Sequence, residues 1–88
     1  PILFSLMQNY PNPFNPTTTI NFSIPKEDFV IVTIYNSLGE KVETLFDGVL
    51  SAGSHSKTFD AKGLASGLYI LKMKSGNYSK TIKMSLMK

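Results

Sequence analysis

The sequence predicts an all-β protein built as two stacked antiparallel sheets. Three observations lead there. Apolar residues recur at every second position through most of the chain, the period of a strand with one buried face. Clusters of Pro, Gly, Asn, Asp and Ser interrupt that alternation at short, fairly regular intervals, as in a sandwich or barrel of short strands. No segment carries the three-and-four spacing of an amphipathic helix.

The first element is a short strand over residues 3–8, with Leu6 close to the most distinctive stretch of the chain. That stretch, Gln8-Asn9-Tyr10-Pro11-Asn12-Pro13-Phe14-Asn15-Pro16-Thr17-Thr18, holds three prolines and three asparagines. Each proline fixes its own φ near about −65° and biases Tyr10, Asn12 or Asn15 before it toward extended backbone. Asn9, Asn12 and Asn15 bond neighbouring backbone groups through short amides. The outcome is a stiff corner, and its two large apolar groups, Tyr10 and Phe14, make it a clasp that closes against a sheet.

Residues 17–24 follow as a strand, with Ile20, Phe22 and Ile24 on one face and Thr19, Asn21 and Ser23 on the other. Pro25-Lys26-Glu27-Asp28 turns the chain. The next strand, residues 29–35, is apolar on both sides: Val30, Val32 and Ile34 share one face, and Phe29, Ile31, Thr33 and Tyr35 the other. Such a strand belongs mid-sheet or under a covering loop, so Tyr10 or Phe14 is expected over its outer side.

Residues 36–40 read as a hairpin connection with Gly39 at positive φ. A strand over residues 41–46 returns with Val42 inward and Leu45 or Phe46 filling the end of the core, and Asp47-Gly48 reads as a turn. Residues 54–60 form a peripheral strand in which His55, Lys57 and Phe59 share a face and only Phe59 is a clear core residue. The loop over residues 60–67 has Leu64 as its apolar plug. A strand over residues 68–74 points Tyr69, Leu71 and Met73 one way, and Ser75-Gly76-Asn77 turns it into the last strand, residues 78–86. Lys80 falls on the apolar side of that strand, so it either snorkels to the rim or sits at a bulge. Seven strands is about the count of an immunoglobulin-like sandwich, although the cysteines and tryptophan of antibody domains are missing.

Length and composition limit what such a fold can do. A chain of 88 residues is one small domain with a thin core, able to bury about 60–65% of its unfolded surface. The chain opens on Pro1 rather than Met, and residues 1–7 lack the pattern of a signal peptide, so residues 1–88 are read as a domain excised from a longer protein. No apolar run approaches the length of a membrane-spanning helix, so no membrane insertion is expected. The formal charge of +3 comes from lysines without a single arginine, which argues against nucleic acid as a partner. Lys72, Lys74, Lys80, Lys83 and Lys88 crowd the end of the chain, either as edge-strand protection or as a docking patch for an acidic partner.

Chemistry-bearing constellations are scarce. With no cysteine there is no disulfide framework, thiolate nucleophile or cysteine metal site. His55 is the lone histidine, and its neighbours Ser54 and Ser56 project to the opposite face of the same strand, out of reach of the imidazole. Asp60 reads first as an Asx-turn former and second as an isolated calcium ligand. No catalytic group, cofactor site or metal site is therefore expected, and the protein is read as a non-enzyme. Sugar stacking on a surface aromatic stays open.

The proline-asparagine run, followed by Ile20 and Phe22, resembles the opening signature of the type A C-terminal sorting domains of the type IX secretion system of Bacteroidetes and related phyla. The likeness continues through Leu38-Gly39 with Val42 and Leu45, Gly53 with His55, Phe59 and Asp60, and Leu64, Ser66, Gly67 and Tyr69. It ends at Lys80, Ile82, Lys83 and Met84, and so covers nearly the whole chain. Lys57 departs from it, at a position that is usually apolar.

That resemblance implies an immunoglobulin-like sandwich related to the C-terminal domain of flagellar hook-capping proteins, carried at the end of an exported protein with its cargo N-terminal in cis. It implies passage through the periplasm, recognition by an outer-membrane secretion translocon, and removal by a sortase-like peptidase, with the cargo reaching the cell surface or the medium. The structural signature falls on Asn9, Tyr10, Pro11, Asn12, Pro13, Phe14, Asn15 and Pro16. Translocon recognition falls on Gly67, Tyr69, Lys80 and Lys83. The alternative is an accessory immunoglobulin-like or carbohydrate-binding module of a secreted polysaccharide-degrading enzyme.

Overall fold

The computed structural model describes residues 3–88; Pro1 and Ile2, on which the expected domain begins, lie outside the described residues. Seven strands follow one another in the order β1 (Ser5–Leu6), β2 (Thr17–Ile24), β3 (Asp28–Asn36), β4 (Lys41–Leu50), β5 (Gly53–Asp60), β6 (Gly67–Ser75) and β7 (Tyr78–Leu86). They form two sheets, β1-β2-β5 and β4-β3-β6-β7, in which every pairing is antiparallel. This is the order A-B-E against C′-C-F-G of an immunoglobulin-like sandwich. The doubly apolar β3 lies mid-sheet between β4 and β6, as its sequence requires.

Alternation builds the core. Ile20, Phe22, Ile24 and Phe59 from one sheet meet Val30, Val32, Ile34, Leu71, Met73, Met84 and Leu86 from the other, all buried. Each such side chain contributes about 1.5–3 kcal/mol relative to exposure, so the inter-sheet contact outweighs any single surface bond. Two tight turns set the register. Asn36 Oδ1 accepts from Leu38 N and Glu40 N while Gly39 takes a φ of 84°. At the far end Ser75 pairs with Tyr78 across Gly76-Asn77, with glycine first and at positive φ as in a type II′ hairpin.

Three expectations are corrected. The opening strand is only Ser5–Leu6, shorter than residues 3–8. Asp47-Gly48 is not a turn: β4 runs on to Leu50, pairing Ile31 with Asp47 and Val30 with Gly48. Glycine serves close approach there, since a Cβ would lie 3.3 Å from the Phe46 ring. Neither Tyr10 nor Phe14 covers the outer face of β3: Tyr10 is 78% exposed, and Phe14 is buried against Phe59 inside the sandwich. The register of β3 against β4 also shifts twice, and the residues passed over, Leu45 and Val42, pack against the core beside Phe46.

β5 is an edge strand, as expected of a peripheral one. Lys57 on its inward side reaches the seam between the sheets, where its ammonium lies 4.3 Å from the Phe46 ring centroid. A cation held over an aromatic face satisfies a position that alternation assigns to an apolar residue.

Candidate functional site: the closing strand and its clasp

β7 is the edge of the larger sheet, so among the described residues half of its backbone groups have no sheet partner. Its register against β6 is unbroken from Gly67 opposite Leu86 to Ser75 opposite Tyr78. Antiparallel geometry then turns the N–H and C=O groups of Ser79, Thr81, Lys83 and Ser85 away from β6.

The proline corner closes the C-terminal half of this edge. Phe14 N donates to Ser85 O at 2.9 Å and Met87 N to Phe14 O at 2.9 Å, so Phe14 joins Leu86 as a one-bridge parallel strand. Asn12 Oδ1 accepts from Ser85 N at 2.9 Å, and Gln8 Nε2 donates to Lys83 O at 2.7 Å. Each bond contributes about 0.5–1.5 kcal/mol net, whereas burial of the Phe14 ring contributes more, so the ring is the main anchor. Its centroid lies 6.0 Å from that of Phe59.

The corner keeps its own shape through a buried polar network. Asn9 Nδ2 donates to Thr18 Oγ1 at 3.0 Å and to Pro11 O at 3.2 Å, and Thr18 Oγ1 donates to Pro11 O at 2.9 Å. The Tyr10–Pro11, Asn12–Pro13 and Asn15–Pro16 peptide bonds are cis. The expected clasp thus exists, and the edge of β7 is what it closes.

Of the residues singled out for recognition, Tyr69 has its side chain inside. It stands at the start of β6, 6% exposed, and its hydroxyl donates to Ala65 O at 2.7 Å. That is the tyrosine corner of immunoglobulin-like sandwiches, which ties the loop between the fifth and sixth strands to the core. Replacing Tyr69 by Phe is expected to lower stability by about 1 kcal/mol, because the Ala65 carbonyl loses its partner. A thermal melt reads this as a drop of about 4–8 °C; an unchanged melt contradicts the assignment.

Gly67 is exposed at the first position of β6 with a φ of 150°, in the region that favours glycine. Lys80 and Lys83 are both exposed. Lys80 has the inward parity of Ile82 and Met84, and with the register unbroken the bulge reading is excluded, which leaves the reading of an exposed lysine at the rim. Lys83, opposite Ile70, is on the outer face. Lys80 and the partner of Gly67, Leu86, stand about 20 Å apart along β7, so these residues form a strip and not a pocket.

The remaining candidates resolve locally. Asp60 Oδ1 accepts from Lys62 N at 2.9 Å, the expected Asx turn. His55 Nε2 is 2.8 Å from Ser51 O and its ring lies against Phe22, while Ser54 and Ser56 are on the opposite face. Among the described residues no three of His, Asp and Glu come together. Gln8 and Asn12 were not legible as β7 contacts, since their partners lie more than seventy residues away in the chain.

These features define an immunoglobulin-like sandwich module that presents its last strand at a sheet edge, half clasped and half open. Residues 8–87 match the model of a family described as the secretion system C-terminal sorting domain, and the chain belongs to that family. Its members are C-terminal sorting signals for type IX secretion, which direct an attached N-terminal cargo toward the cell surface or the extracellular space. No curated protein matches the chain.

Proposed function

We propose that the chain is a non-catalytic C-terminal domain of a larger exported protein, read by the translocon in its folded state along the closing strand. The observation that carries this reading is the open half of β7, where Ser79 and Thr81 offer backbone groups with no partner among the described residues, beside Lys80 and Lys83. A free edge and two cations together make a surface that a partner can engage by strand contact and charge. Gly67 and Tyr69 support that surface from β6, Gly67 through the chain entry it permits and Tyr69 through the loop it ties. In this reading the protein crosses the periplasm with its cargo, and a sortase-like peptidase severs it after export.

Deleting residues 79–88 from a reporter fusion should abolish export, but it also strips Ile82, Met84 and Leu86 from the core. The double charge reversal Lys80→Glu with Lys83→Glu spares those residues. A folded double variant, verified by circular dichroism, is expected to export several-fold less cargo, in line with the effect of charge on encounter rates. Undiminished export from that folded variant would falsify the reading.

A further inference from the structure

We propose that the outer face of the β1-β2-β5 sheet is a binding site for a neutral polysaccharide chain, with Tyr10 as its stacking residue. This rests on a different face of the molecule from β7 and holds independently of export.

The pairing places three polar rows on that face. Ser5, Ser23 and Ser54 form the first, Asn21 and Ser56 the second, and Tyr10, Thr19 and Thr58 the third. Strands lie about 4.8 Å apart and successive rows about 7 Å apart, so the rows make a ladder of hydroxyl and amide groups. The first two rows, with Met7, Phe22 and His55, line an open groove of about 450 Å³. Tyr10 stands one row beyond it, its backbone bonded both ways to Thr19 at 2.9 and 3.0 Å and its side chain among the most exposed in the chain.

The lining selects the ligand class. No lysine lines the groove, so an anionic ligand finds no fixed cation there. A protein partner would find little apolar area beyond Met7 and Tyr10. A polyhydroxylated neutral chain matches both features: hydroxyls and an amide for its hydroxyl groups, and a ring face for its apolar C–H surface.

The groove is also pre-ordered. Ser23 Oγ is 2.7 Å from Ser5 Oγ and donates to Leu3 O, and Ser56 Oγ donates to Asn21 Oδ1. These bonds fix the Asn21 amide and leave its Nδ2 hydrogens and the Ser54 hydroxyl to an outside partner. Side chains already immobilised lose little entropy when a ligand arrives.

The test is a titration of the 88-residue chain with soluble cello-, xylo- and manno-oligosaccharides, followed by backbone amide shifts, with an oligogalacturonate as the anionic comparison. At least one neutral probe is expected to give saturable shifts concentrated at Tyr10, Asn21, Ser54 and Ser56. Tyr10→Ala should weaken binding about five- to tenfold while Tyr10→Phe retains it. Ser54→Lys, which fills the groove from an exposed position, should weaken it without altering the fold. Three outcomes overturn the proposal: no saturable shift with any neutral probe, binding that Tyr10→Ala leaves unchanged, or binding restricted to oligogalacturonate.

Discussion

Replacing Phe14 by Ala is expected to lower the unfolding free energy by about 3–5 kcal/mol, the range for deleting a buried aromatic ring. Phe14 is 1% exposed and its ring meets Phe59, itself fully buried, so its removal leaves a cavity that the two sheets cannot close without shifting toward each other. It also loosens the backbone atoms of Phe14 that bond Ser85 and Met87. A domain of this size has a total stability of only about 5–15 kcal/mol, so one substitution in a surface corner removes much of the margin. Chemical denaturation of the variant beside the parent checks this, and a midpoint shift worth under about 1 kcal/mol contradicts it. Tyr10→Ala, in the same corner but with an exposed ring, is the control and should fall within about 0.5 kcal/mol of the parent.

Lys80→Ile is expected to leave the domain folded and make it self-associate. Lys80 is the single charge among the inward-parity residues Tyr78, Ile82, Met84 and Leu86 of β7. It sits on the part of the strand that the clasp does not reach. An inward-pointing lysine on an edge strand obstructs pairing with another edge, because docking a second strand would desolvate the ammonium. Isoleucine removes that obstacle and raises strand propensity while the backbone groups of Ser79 and Thr81 stay available. Sedimentation at matched concentrations should give the variant a larger mean mass than the parent, with Lys80→Arg behaving like the parent. Equal masses for all three would show that Lys80 does not guard the edge.

The two predictions divide one edge between them, and the division bears on sorting. Under the proposed function, the domain has to remain apart from other copies and still offer an edge to its translocon. Phe14, Asn12 and Gln8 occupy the C-terminal half of β7, and Lys80 is exposed on the rest, where its charge is expected to act in place of cover. On that proposal, covering the whole edge with the corner would leave the translocon no backbone to contact.

What the sequence made legible follows from how local each cause is. Strands β2, β3, β6 and β7 could be read within a residue or two, since alternation is a property of each segment alone. The hairpins at Asn36 and Gly76 were readable for the same reason. Asp47-Gly48 misled because the reason for its glycine is the Phe46 ring folded over it, which no turn propensity reports. The corner's stiffness was written in its prolines and asparagines, but its destination was not: the partners of Phe14 lie at Ser85 and Met87, across the whole topology. Tyr69 was picked out by resemblance, while its physical role depends on the Ala65 carbonyl four residues upstream, which only the folded loop brings under its hydroxyl. Lys80 was placed on the apolar face by counting alone. The choice between rim and bulge needed the register across β6.

Amide hydrogen exchange along β7 of the intact chain tests the half-clasped edge most directly. The alternate amides from Tyr78 to Leu86 that face β6 should exchange slowly, and so should Ser85 and Met87, which bond Asn12 and Phe14. Ser79, Thr81 and Lys83 should exchange fast. Rapid exchange at Ser85 and Met87, or slow exchange at Ser79 and Thr81, would contradict the account.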